Sequence, residues 1–319
     1  MHRWNDLSQI PADLGPTVVT LGNFDGVHRG HKAVLQAVLQ LASERGAQTV
    51  AVTFDPHPVA VLHPERAPAP VTSLEHRLDL IEHVGLDAVL VQEFTHELAL
   101  MSPEDYVRTV FVDALHACAV VVGEDTRFGH KNSGDAATLR ELGARHGFEV
   151  MTVADLGEGQ RWSSSLVRQR LGDGDVAGAA AVLGRPHRVM GTVVHGDHRG
   201  RELGYPTANL SQDAQGMIPA DGVYAGWLTR VALDDDDQER VLPAAISVGT
   251  NPTFEGTQRR VEAYVLDRTD LDLYGDQVAV EFVERLRPTL KFDSVEELLA
   301  VMSDDVARCR EVLSSIVPA

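Results

Sequence analysis

The chain has little of three things: cysteine, basic charge and long apolar runs. Its 319 residues include only 2 cysteines, Cys118 and Cys309. Two cysteines so far apart give no disulfide framework, and Cys118 in the apolar string "HACAVVVG" is typical of a small buried residue. The sequence therefore predicts a protein of a reducing compartment and argues against a disulfide-stabilised secreted domain.

Long hydrophobic runs are also missing. No stretch approaches the roughly 18–20 apolar residues that a membrane-spanning helix needs. The opening "MHRWNDLSQIPADLG" has no apolar region of the kind found in a signal peptide. We therefore expect no membrane association and a cytoplasmic location.

Basic charge is scarce. The chain has 28 Lys and Arg against 47 Asp and Glu, a formal charge of −19, which repels phosphate backbones and makes nucleic acid an unexpected partner. A ligand with phosphate groups must be bound locally, by helix N-termini, a few arginines or a divalent ion. The acidic segment Leu233–Arg240 is expected to be a solvated insertion. No internal repeat is present.

The pattern of apolar and polar residues differs between the two halves of the chain, and the length of the chain favours two domains. From Thr17 to about Gly184, apolar strands alternate with helical patterns. This alternation predicts a doubly wound parallel sheet with helices on both faces, a Rossmann-like arrangement. The predicted strands are 17–21, 49–54, 88–91, 119–123 and 149–153, and the predicted helices are 31–45, 73–83, 103–116 and 135–146.

The pattern changes after "LGRPHR" (183–188). Short alternating segments separated by Gly, Pro and Asp predict antiparallel strands of a barrel or sandwich. A final helix is expected near 293–313, with Asp293 or Ser294 as its N-cap. We therefore predict domains at 1–185 and 186–319.

The string "GNFDGVHRGH" at 22–31 lies where a strand turns into a helix. Such a turn, at the carboxyl end of a parallel strand, is where α/β sheets bind ligands. Gly22 and Gly26 allow close approach of a nucleotide, and the helix N-terminus attracts phosphate. His28 and His31 share one face of the first turn and can stabilise phosphate oxygens. A zinc site would need further ligands of matching spacing, which the other histidines do not offer; ordinary turn residues are the remaining alternative.

A second string, "WSSSLVRQRL" at 162–171, opens another predicted helix. The run Ser163–Ser165 can offer hydroxyl and N–H groups to phosphate, although a serine run at a helix start is commonly only a cap. Arg168 lies one turn further on and is a forked donor suited to pyrophosphate. The upstream histidine motif favours phosphate binding.

The second half has its own candidates. In "RELGYPTANL" (201–210), Thr207 and Asn209 alternate so that their side chains point the same way. Their oxygens suit Mg²⁺ held jointly with phosphates, although Thr-x-Asn is also compatible with a structural turn. Glu262 is an acid in an otherwise apolar strand, and a solvent-facing position is the alternative to a catalytic one.

These strings resemble known families. "GNFDGVHRGH" is similar to the signature of nucleotidyltransferases that transfer a nucleoside monophosphate to a phosphate acceptor, and with "TFDPHP" (53–58) and "VVGEDTRFG" (121–129) it resembles FMN adenylyltransferase. "GYPTAN", "PADGVYAGW" (219–227), "SVGTNPTF" (247–254), "VEAYVLD" (261–267) and "LYGDQVAVEFVERLR" (273–287) resemble riboflavin kinase. Their order resembles the bifunctional bacterial riboflavin kinase/FAD synthetase family over about residues 15 to 315.

The resemblance implies that the first half transfers AMP from ATP to FMN. The FMN phosphate is already ionised near neutral pH, so no general base is needed. The residues expected to bind ATP are Gly22, Asn23, Phe24, Asp25, Gly26, His28, His31, Ser163, Ser164, Ser165 and Arg168. Those expected to bind FMN are Phe54, Pro56, His57, Pro58, Tyr106, Asp125 and Phe128.

The resemblance implies that the second half transfers the γ-phosphoryl group of ATP to riboflavin, with Glu262 as the base. Gly204, Pro206, Thr207 and Asn209 would hold ATP and Mg²⁺, and Phe292, Asp293 and Glu296 would lie near the isoalloxazine. His28, His31, Arg168 and Glu262 are therefore the predicted catalytic residues. The expected partners are small molecules only (ATP, riboflavin and FMN), and the chain is expected to be a monomer or a weak homo-oligomer.

Two departures from the pattern stand out. Asp125 occupies a position where Asn is expected, so its charge would face FMN unless it is turned towards a donor or Mg²⁺. The loop "HGDHRGRELG" contains His195, Asp197 and His198, to which no role is assigned. Two alternatives stay open: that only one half is active, or that the chain is a non-catalytic flavin or nucleotide sensor.

Overall fold

The computed structural model describes residues 1–157, 159–196, 203–253, 256–316 and 318, and it describes the side chains of all of these except 251–253 and 256–258. Asp197 and His198 of the unassigned loop lie outside the described residues. The chain forms two compact units. Residues 1–69 and 73–163 make up the first unit, and residues 70–72 and 164–319 make up the second.

The first unit is built on a six-stranded parallel sheet in the order β1-β4-β3-β2-β5-β6. Its strands are β1 (His2–Trp4), β2 (Thr17–Leu21), β3 (Gln48–Asp55), β4 (Ala88–Glu93), β5 (Ala117–Gly123) and β6 (Glu149–Val153). The predicted parallel sheet is therefore confirmed. Strand β1 was not predicted, because it has three residues, of which only Trp4 is buried, and they carry too little apolar signal.

Helices connect these strands. They are α1 (Arg29–Arg45), α2 (Pro58–Leu62), α3 (Leu74–Val84), α4 (His96–Leu100), α5 (Pro103–Tyr106, continued by a π-helix over Val107–Ala114) and α6 (Ala136–His146). Short 3₁₀ turns lie at Leu7–Gln9, Pro64–Arg66 and His130–Asn132. Ser102 caps α5 by accepting a hydrogen bond from the N–H of Asp105 at 3.1 Å.

Both faces of the sheet are buried. On β3, Val50 and Val52 face a core that also contains Phe111 and Leu139, whereas Ala51 faces a second core with Leu35 and residues of α3. Neighbouring residues of a strand point to opposite faces, so a strand buried on both sides must be apolar throughout. This explains the continuous "TVVTL" and "ACAVVVG" runs.

The strand order places the binding region. The chain passes from β2 to β3 and β4 on one side and returns to β5 on the other side of β2. The connections therefore leave β2 and β5 in opposite directions, and a crevice opens at their carboxyl ends. The "GNFDGVHRGH" turn follows β2, and Asp125 follows β5.

The second unit contains a closed antiparallel barrel in the order β10-β11-β8-β7-β12-β9. Its strands are β7 (His187–Val194), β8 (Ala208–Leu210), β9 (Gly222–Arg230), β10 (Val241–Thr253), β11 (Gly256–Val265) and β12 (Gln277–Arg287). Of the two antiparallel architectures expected, the barrel is confirmed. The acidic segment Leu233–Arg240 lies between β9 and β10 and is largely exposed.

The described residues of the second unit also form the helices α7 (Ser164–Gly172), α8 (Val176–Leu183) and α9 (Val295–Leu313). Helix α9 is capped by Ser294, whose hydroxyl accepts from the N–H of Glu297 at 3.1 Å. Helix α8 packs on β12 and β7. The compact units thus divide at Ser163/Ser164, before these helices, whereas the predicted domain limit at 185 lies after them and stays a prediction.

Candidate active sites

The turn after β2 has an unusual backbone. Phe24, Gly26 and Val27 all have positive φ, at 49°, 81° and 38°. Such angles are costly for a bulky or a β-branched side chain and persist only where the surroundings impose them. Both side chains are buried, Phe24 at 2% exposure and Val27 at 0%. The core therefore anchors the turn.

Asn23 links this turn to two neighbouring elements. Its backbone oxygen accepts hydrogen bonds from Thr53 Oγ1 of β3 at 3.1 Å and from Arg77 Nη1 of α3 at 2.8 Å. Its side-chain amide lies 3.4 Å from His57 Nε2, in the "TFDPHP" turn. The two turns predicted to bind ATP and FMN are therefore in direct contact.

The two histidines lie together at the start of α1. His28 is the N-cap, and its Nδ1 accepts a hydrogen bond from the N–H of His31 at 3.3 Å. When His28 is neutral, its proton is therefore on Nε2, which is a donor. The rings of His28 and His31 stack with centroids 3.6 Å apart. This arrangement places two imidazoles at a helix N-terminus, where negative charge is favoured.

His31 is held neutral. Burial lowers its pKa well below the ordinary 6.5, and the neighbouring charges of His28, Arg161 and Arg77 act in the same direction. Its Nδ1 is buried without a hydrogen-bond partner among the described residues. An unsatisfied ring nitrogen at this position is one that a bound ligand can satisfy.

Gly30 makes room for the His28 ring. A Cβ at position 30 would lie 3.1 Å from Cε1 and Nδ1 of that ring and 3.6 Å from the backbone oxygen of Trp162. The guanidinium of Arg29 lies 5.5 Å from the centre of the Trp162 indole. The glycine in "HRGH" therefore leaves the His28 ring space that any larger residue would partly occupy.

The predicted FMN residues lie in different environments. His57 caps α2, since its Nδ1 accepts from the N–H of Val59 at 3.2 Å. Phe54 is half-buried against Phe94, Pro58 begins α2, and the Asp55–Pro56 peptide bond is cis. Pro56 is exposed.

Tyr106 and Phe128 belong to the core. Tyr106 is 4% exposed and Phe128 is 6% exposed, and both pack in the cluster on one face of the sheet. The Tyr106 hydroxyl donates to Gln92 Oε1 at 2.9 Å, and burial raises the pKa of the Tyr106 phenol. Their contacts are those of core residues, so direct contact with FMN stays a prediction.

Asp125 is paired with Arg161. A guanidinium nitrogen of Arg161 donates to Asp125 Oδ2, and its Nε lies 3.1 Å from Asp155 Oδ1. The carboxylate that the sequence placed towards FMN is therefore turned towards a donor. This answers the concern raised by an acid at position 125.

The serine motif spans the limit between the two units. Ser163 is the last residue of the first unit, whereas Ser164, Ser165 and Arg168 lie in the first turns of α7 in the second. Ser164 and Arg168 are half-buried, and Ser165 is exposed. Their roles towards ATP stay predictions.

In the barrel, the structure brings Glu262 beside Asn209. The two residues are direct partners across the antiparallel strands β8 and β11, so their Cβ atoms lie about 5 Å apart on one face. Asn209 Nδ2 donates to Thr207 Oγ1 at 3.2 Å. A carboxylate, an amide and a hydroxyl are thus assembled on three neighbouring positions.

The backbone around this site is close-fitting. A Cβ on Gly196 would lie 2.6 Å from the amide group of Asn209, which accounts for one glycine of the "HGDHRGRELG" loop. Gly204 has φ of 86°, a conformation that favours glycine. Pro206 and Thr207 line a largely apolar cleft, together with Ala263, Arg268, Leu273 and Tyr274.

The predicted riboflavin residues lie at the start of α9. Phe292 is half-buried, and its ring centre is 5.8 Å from the guanidinium of Arg287. Arg287 in turn binds Asp305 of α9, with Nη2 and Nε at 2.7 and 2.9 Å from its carboxylate oxygens. Asp293 and Glu296 are exposed.

The possible metal ligands of the barrel are few. Across the described residues, no three His, Cys, Asp or Glu side chains cluster as metal ligands. The adjacent oxygens of Thr207 and Asn209, with Glu262 opposite, fit a Mg²⁺ ion that takes most of its ligands from phosphates and water. The donor set thus fits Mg²⁺ brought with ATP.

Sequence reasoning missed four residues that contribute to these sites. Arg77 and Arg161 were not singled out because their roles depend on contacts between distant segments. Of the cleft residues, Arg268 directly follows the quoted "VEAYVLD" string and Tyr274 lies within the quoted "LYGDQVAVEFVERLR" string, which was the available signal.

Comparison with known proteins assigns the two halves of the chain to two families. Residues 10–166 match the FAD synthetase family, and residues 183–313 match the riboflavin kinase family. The chain is 35% identical over 316 residues to the bifunctional riboflavin kinase/FMN adenylyltransferase of Escherichia coli strain K12, covering 99% of this chain and 98% of that protein. It is 36% identical over 306 residues to the protein of the same name from Listeria monocytogenes, covering 95% and 91%.

A solved structure is similar over nearly the whole chain. A protein of Streptococcus pneumoniae described as a macrolide-efflux protein has a TM-score of 0.86 and 30% identity, covering 97% of this chain and 98% of that one.

Among the described residues of this chain, no helix combines the length and apolar character that a membrane crossing requires.

Proposed function

The chain belongs to the family of bifunctional riboflavin kinase/FMN adenylyltransferases, and we propose how its two units divide the work. The barrel phosphorylates riboflavin to FMN, with ADP as the second product. The unit with the parallel sheet joins AMP from a second ATP to FMN, giving FAD and pyrophosphate. One observation carries this division: the Glu262–Asn209–Thr207 group lies wholly in the barrel, and the stacked His28–His31 pair lies wholly in the other unit.

In the kinase reaction, Glu262 accepts the proton of the riboflavin 5′-hydroxyl as its oxygen attacks the γ-phosphorus. Phosphoryl transfer depends mainly on positioning and charge neutralisation, so one base beside one metal site suffices. Thr207 and Asn209 hold Mg²⁺, which when bound neutralises charge on the ATP phosphates. The apolar cleft beside Thr207 takes the nucleotide base, and Phe292, Asp293 and Glu296 lie near the flavin ring.

In the adenylyl transfer, a phosphate oxygen of FMN attacks the α-phosphorus of ATP and pyrophosphate leaves. His28, with Nε2–H as donor, stabilises the charge on the α-phosphate oxygens. His31 donates to the same phosphate through whichever ring nitrogen carries its proton. Because both donors are fixed before the substrate arrives, they need no reorganisation in the transition state.

Two further features of the protein complete the proposal. Both cysteines are free thiols, which supports work in a reducing compartment such as the cytoplasm. The partners are ATP and flavins, and the sites described need no second copy of the chain, which is consistent with a monomer or a weak homo-oligomer.

Variants of the full-length chain test the division of labour. We expect His28→Ala to lose ~10²–10³ in the rate of FAD formation from FMN while riboflavin phosphorylation continues. Glu262→Gln should lose ~10²–10⁴ in FMN formation and still convert supplied FMN to FAD. Chromatography of riboflavin, FMN and FAD over time measures both steps.

The matched controls are exposed residues of the same type. His83→Ala, on α3, and Glu284→Gln, on β12, should leave both rates unchanged. If Glu262→Gln slowed FAD formation from FMN as much as it slowed FMN formation, the assignment of separate sites would be wrong.

A further inference from the structure

Arg77 is a buried cation of the first unit to which the reaction as described gives no role. It lies on α3, is 6% exposed, and carries its guanidinium beneath the turn that follows β2. Arginine is rarely this buried without a specific set of partners. The groups that contact the guanidinium therefore indicate the function of Arg77.

The guanidinium joins two turns. Nη1 donates to the backbone oxygen of Asn23 at 2.8 Å, in the ATP turn, and Nη2 lies 3.7 Å from Asp55 Oδ1, at the start of the FMN turn. Asn23 itself contacts His57 of the FMN turn at 3.4 Å. A planar fork can reach two groups at once, which a lysine ammonium on a flexible stem does not do in the same way.

The ATP turn needs such support. Phe24, the residue after Asn23, has φ of 49°, and a strained residue keeps its conformation only if its neighbours fix it. Thr53 Oγ1, at 3.1 Å, is a second side-chain donor to the Asn23 oxygen. Among the described residues, no group forms a hydrogen bond with the buried Nε of Arg77, so the contacts of this guanidinium are made by its two terminal nitrogens.

We propose that Arg77 is a positioning residue for adenylyl transfer, which fixes the Asn23 turn that binds ATP and the Asp55–His57 turn that binds FMN relative to each other. This inference rests on the proposed function of the first unit. Arg77 does not contact the reacting atoms. Its effect is to keep the acceptor phosphate in line with the α-phosphorus, where a misplacement of about 1 Å costs on the order of 10² in rate.

The test uses the full-length chain with FMN and ATP as substrates. Arg77→Met keeps the bulk of the side chain and removes its donors, and we expect KM for FMN and KM for ATP to rise and kcat/KM to fall ~10- to 10²-fold. Arg77→Lys keeps one donor for the Asn23 oxygen and loses the reach to Asp55. It should restore KM for ATP and leave KM for FMN raised.

Controls separate positioning from folding. Arg45→Met removes an exposed arginine of α1 that pairs with Glu149, and it should leave both KM values unchanged. Circular dichroism and thermal melting of each variant report the folded fraction. A loss of kcat in proportion to unfolded protein, with both KM values unchanged and no difference between Lys and Met, would mean a purely structural role and would overturn the proposal.

The wild-type chain keeps the two inferences apart. If the wild type formed no FAD from FMN, the proposed function of the first unit would fail, whatever the variants do. If the wild type formed FAD and Arg77→Met kept both KM values and kcat within about twofold, which is a small effect on this scale, the positioning role alone would fail.

Discussion

Replacing Gly30 by Ala should separate catalysis from stability in the adenylyl-transfer unit. The added Cβ would lie 3.1 Å from two atoms of the His28 ring, closer than the 3.4–4 Å of ordinary contact. The ring or the first turn of α1 must therefore move by a few tenths of an ångström. Since His28 also accepts the N–H of His31 at 3.3 Å, this movement disturbs both catalytic rings.

The expected magnitude follows from this displacement. A shift of about 1 Å in a catalytic group costs on the order of 10² in rate, so a few tenths should cost roughly 3- to 10-fold in FAD formation. The alanine also removes backbone freedom from the unfolded chain, which favours the helix by up to about 1 kcal/mol. We therefore expect lower activity in a chain that is no less stable.

The assay is the steady-state rate of FAD formation from FMN, measured beside the melting temperature. Gly15→Ala is the matched control, because a Cβ at position 15 meets nothing within 4 Å. Riboflavin phosphorylation by the same samples should not change. A Gly30→Ala protein with full FAD-forming activity would refute the reasoning, because it would show that the His28 ring needs no such space.

Three further predictions concern pH, metal and flavin binding. Burial, with the neighbouring charge of His28, holds the pKa of His31 well below 6.5. The unfolded chain therefore binds a proton at this residue more readily than the folded chain does, and the stability present above pH 6.5 is lost as the pH falls. His31→Gln should make the fall in melting temperature between about pH 7.5 and 5.5 less steep, and an unchanged slope would contradict this. Asn209→Ala should raise the Mg²⁺ concentration needed for half-maximal riboflavin phosphorylation, measured by magnesium titration, and leave FMN adenylylation unchanged; an unaltered titration would remove Asn209 from the metal site. Asp305→Ala leaves the largely buried cation of Arg287 without its carboxylate partner. It should lower the free energy of unfolding by about 3 kcal/mol, measured by chemical unfolding, and raise KM for riboflavin, measured by steady-state kinetics. An unchanged KM would mean that this ion pair does not support the flavin site.

The sheet and the barrel were predictable because each has a simple periodic signal. Strands buried on both faces are apolar throughout, as in "TVVTL", and barrel strands alternate. Strand β1 escaped prediction because its position comes from pairing with Ala88–Leu90. The distinction between barrel and sandwich depends on which strands close the sheet, and local sequence does not encode that pairing.

The sequence predicted only those contacts of the candidate sites that join residues close together in the chain. His28 and His31 are three residues apart and meet within one helical turn, so their stacking follows from spacing. Arg77 lies 54 residues from Asn23, and Arg161 lies 36 residues from Asp125. Contacts over such separations depend on the tertiary fold. Glu262 was found through its string, but its place opposite Asn209 required the strand register.

One measurement tests directly whether both phosphoryl chemistries occur in this chain. The wild-type protein is incubated with riboflavin and Mg²⁺, in parallel with ATP labelled at the γ-phosphorus and with ATP labelled at the α-phosphorus, and the label in FMN and FAD is followed. We predict that FMN acquires only γ-label, and that FAD acquires one phosphorus from each position. FAD without γ-label when riboflavin is the flavin supplied, or FMN with no subsequent α-label in any product, would contradict the account.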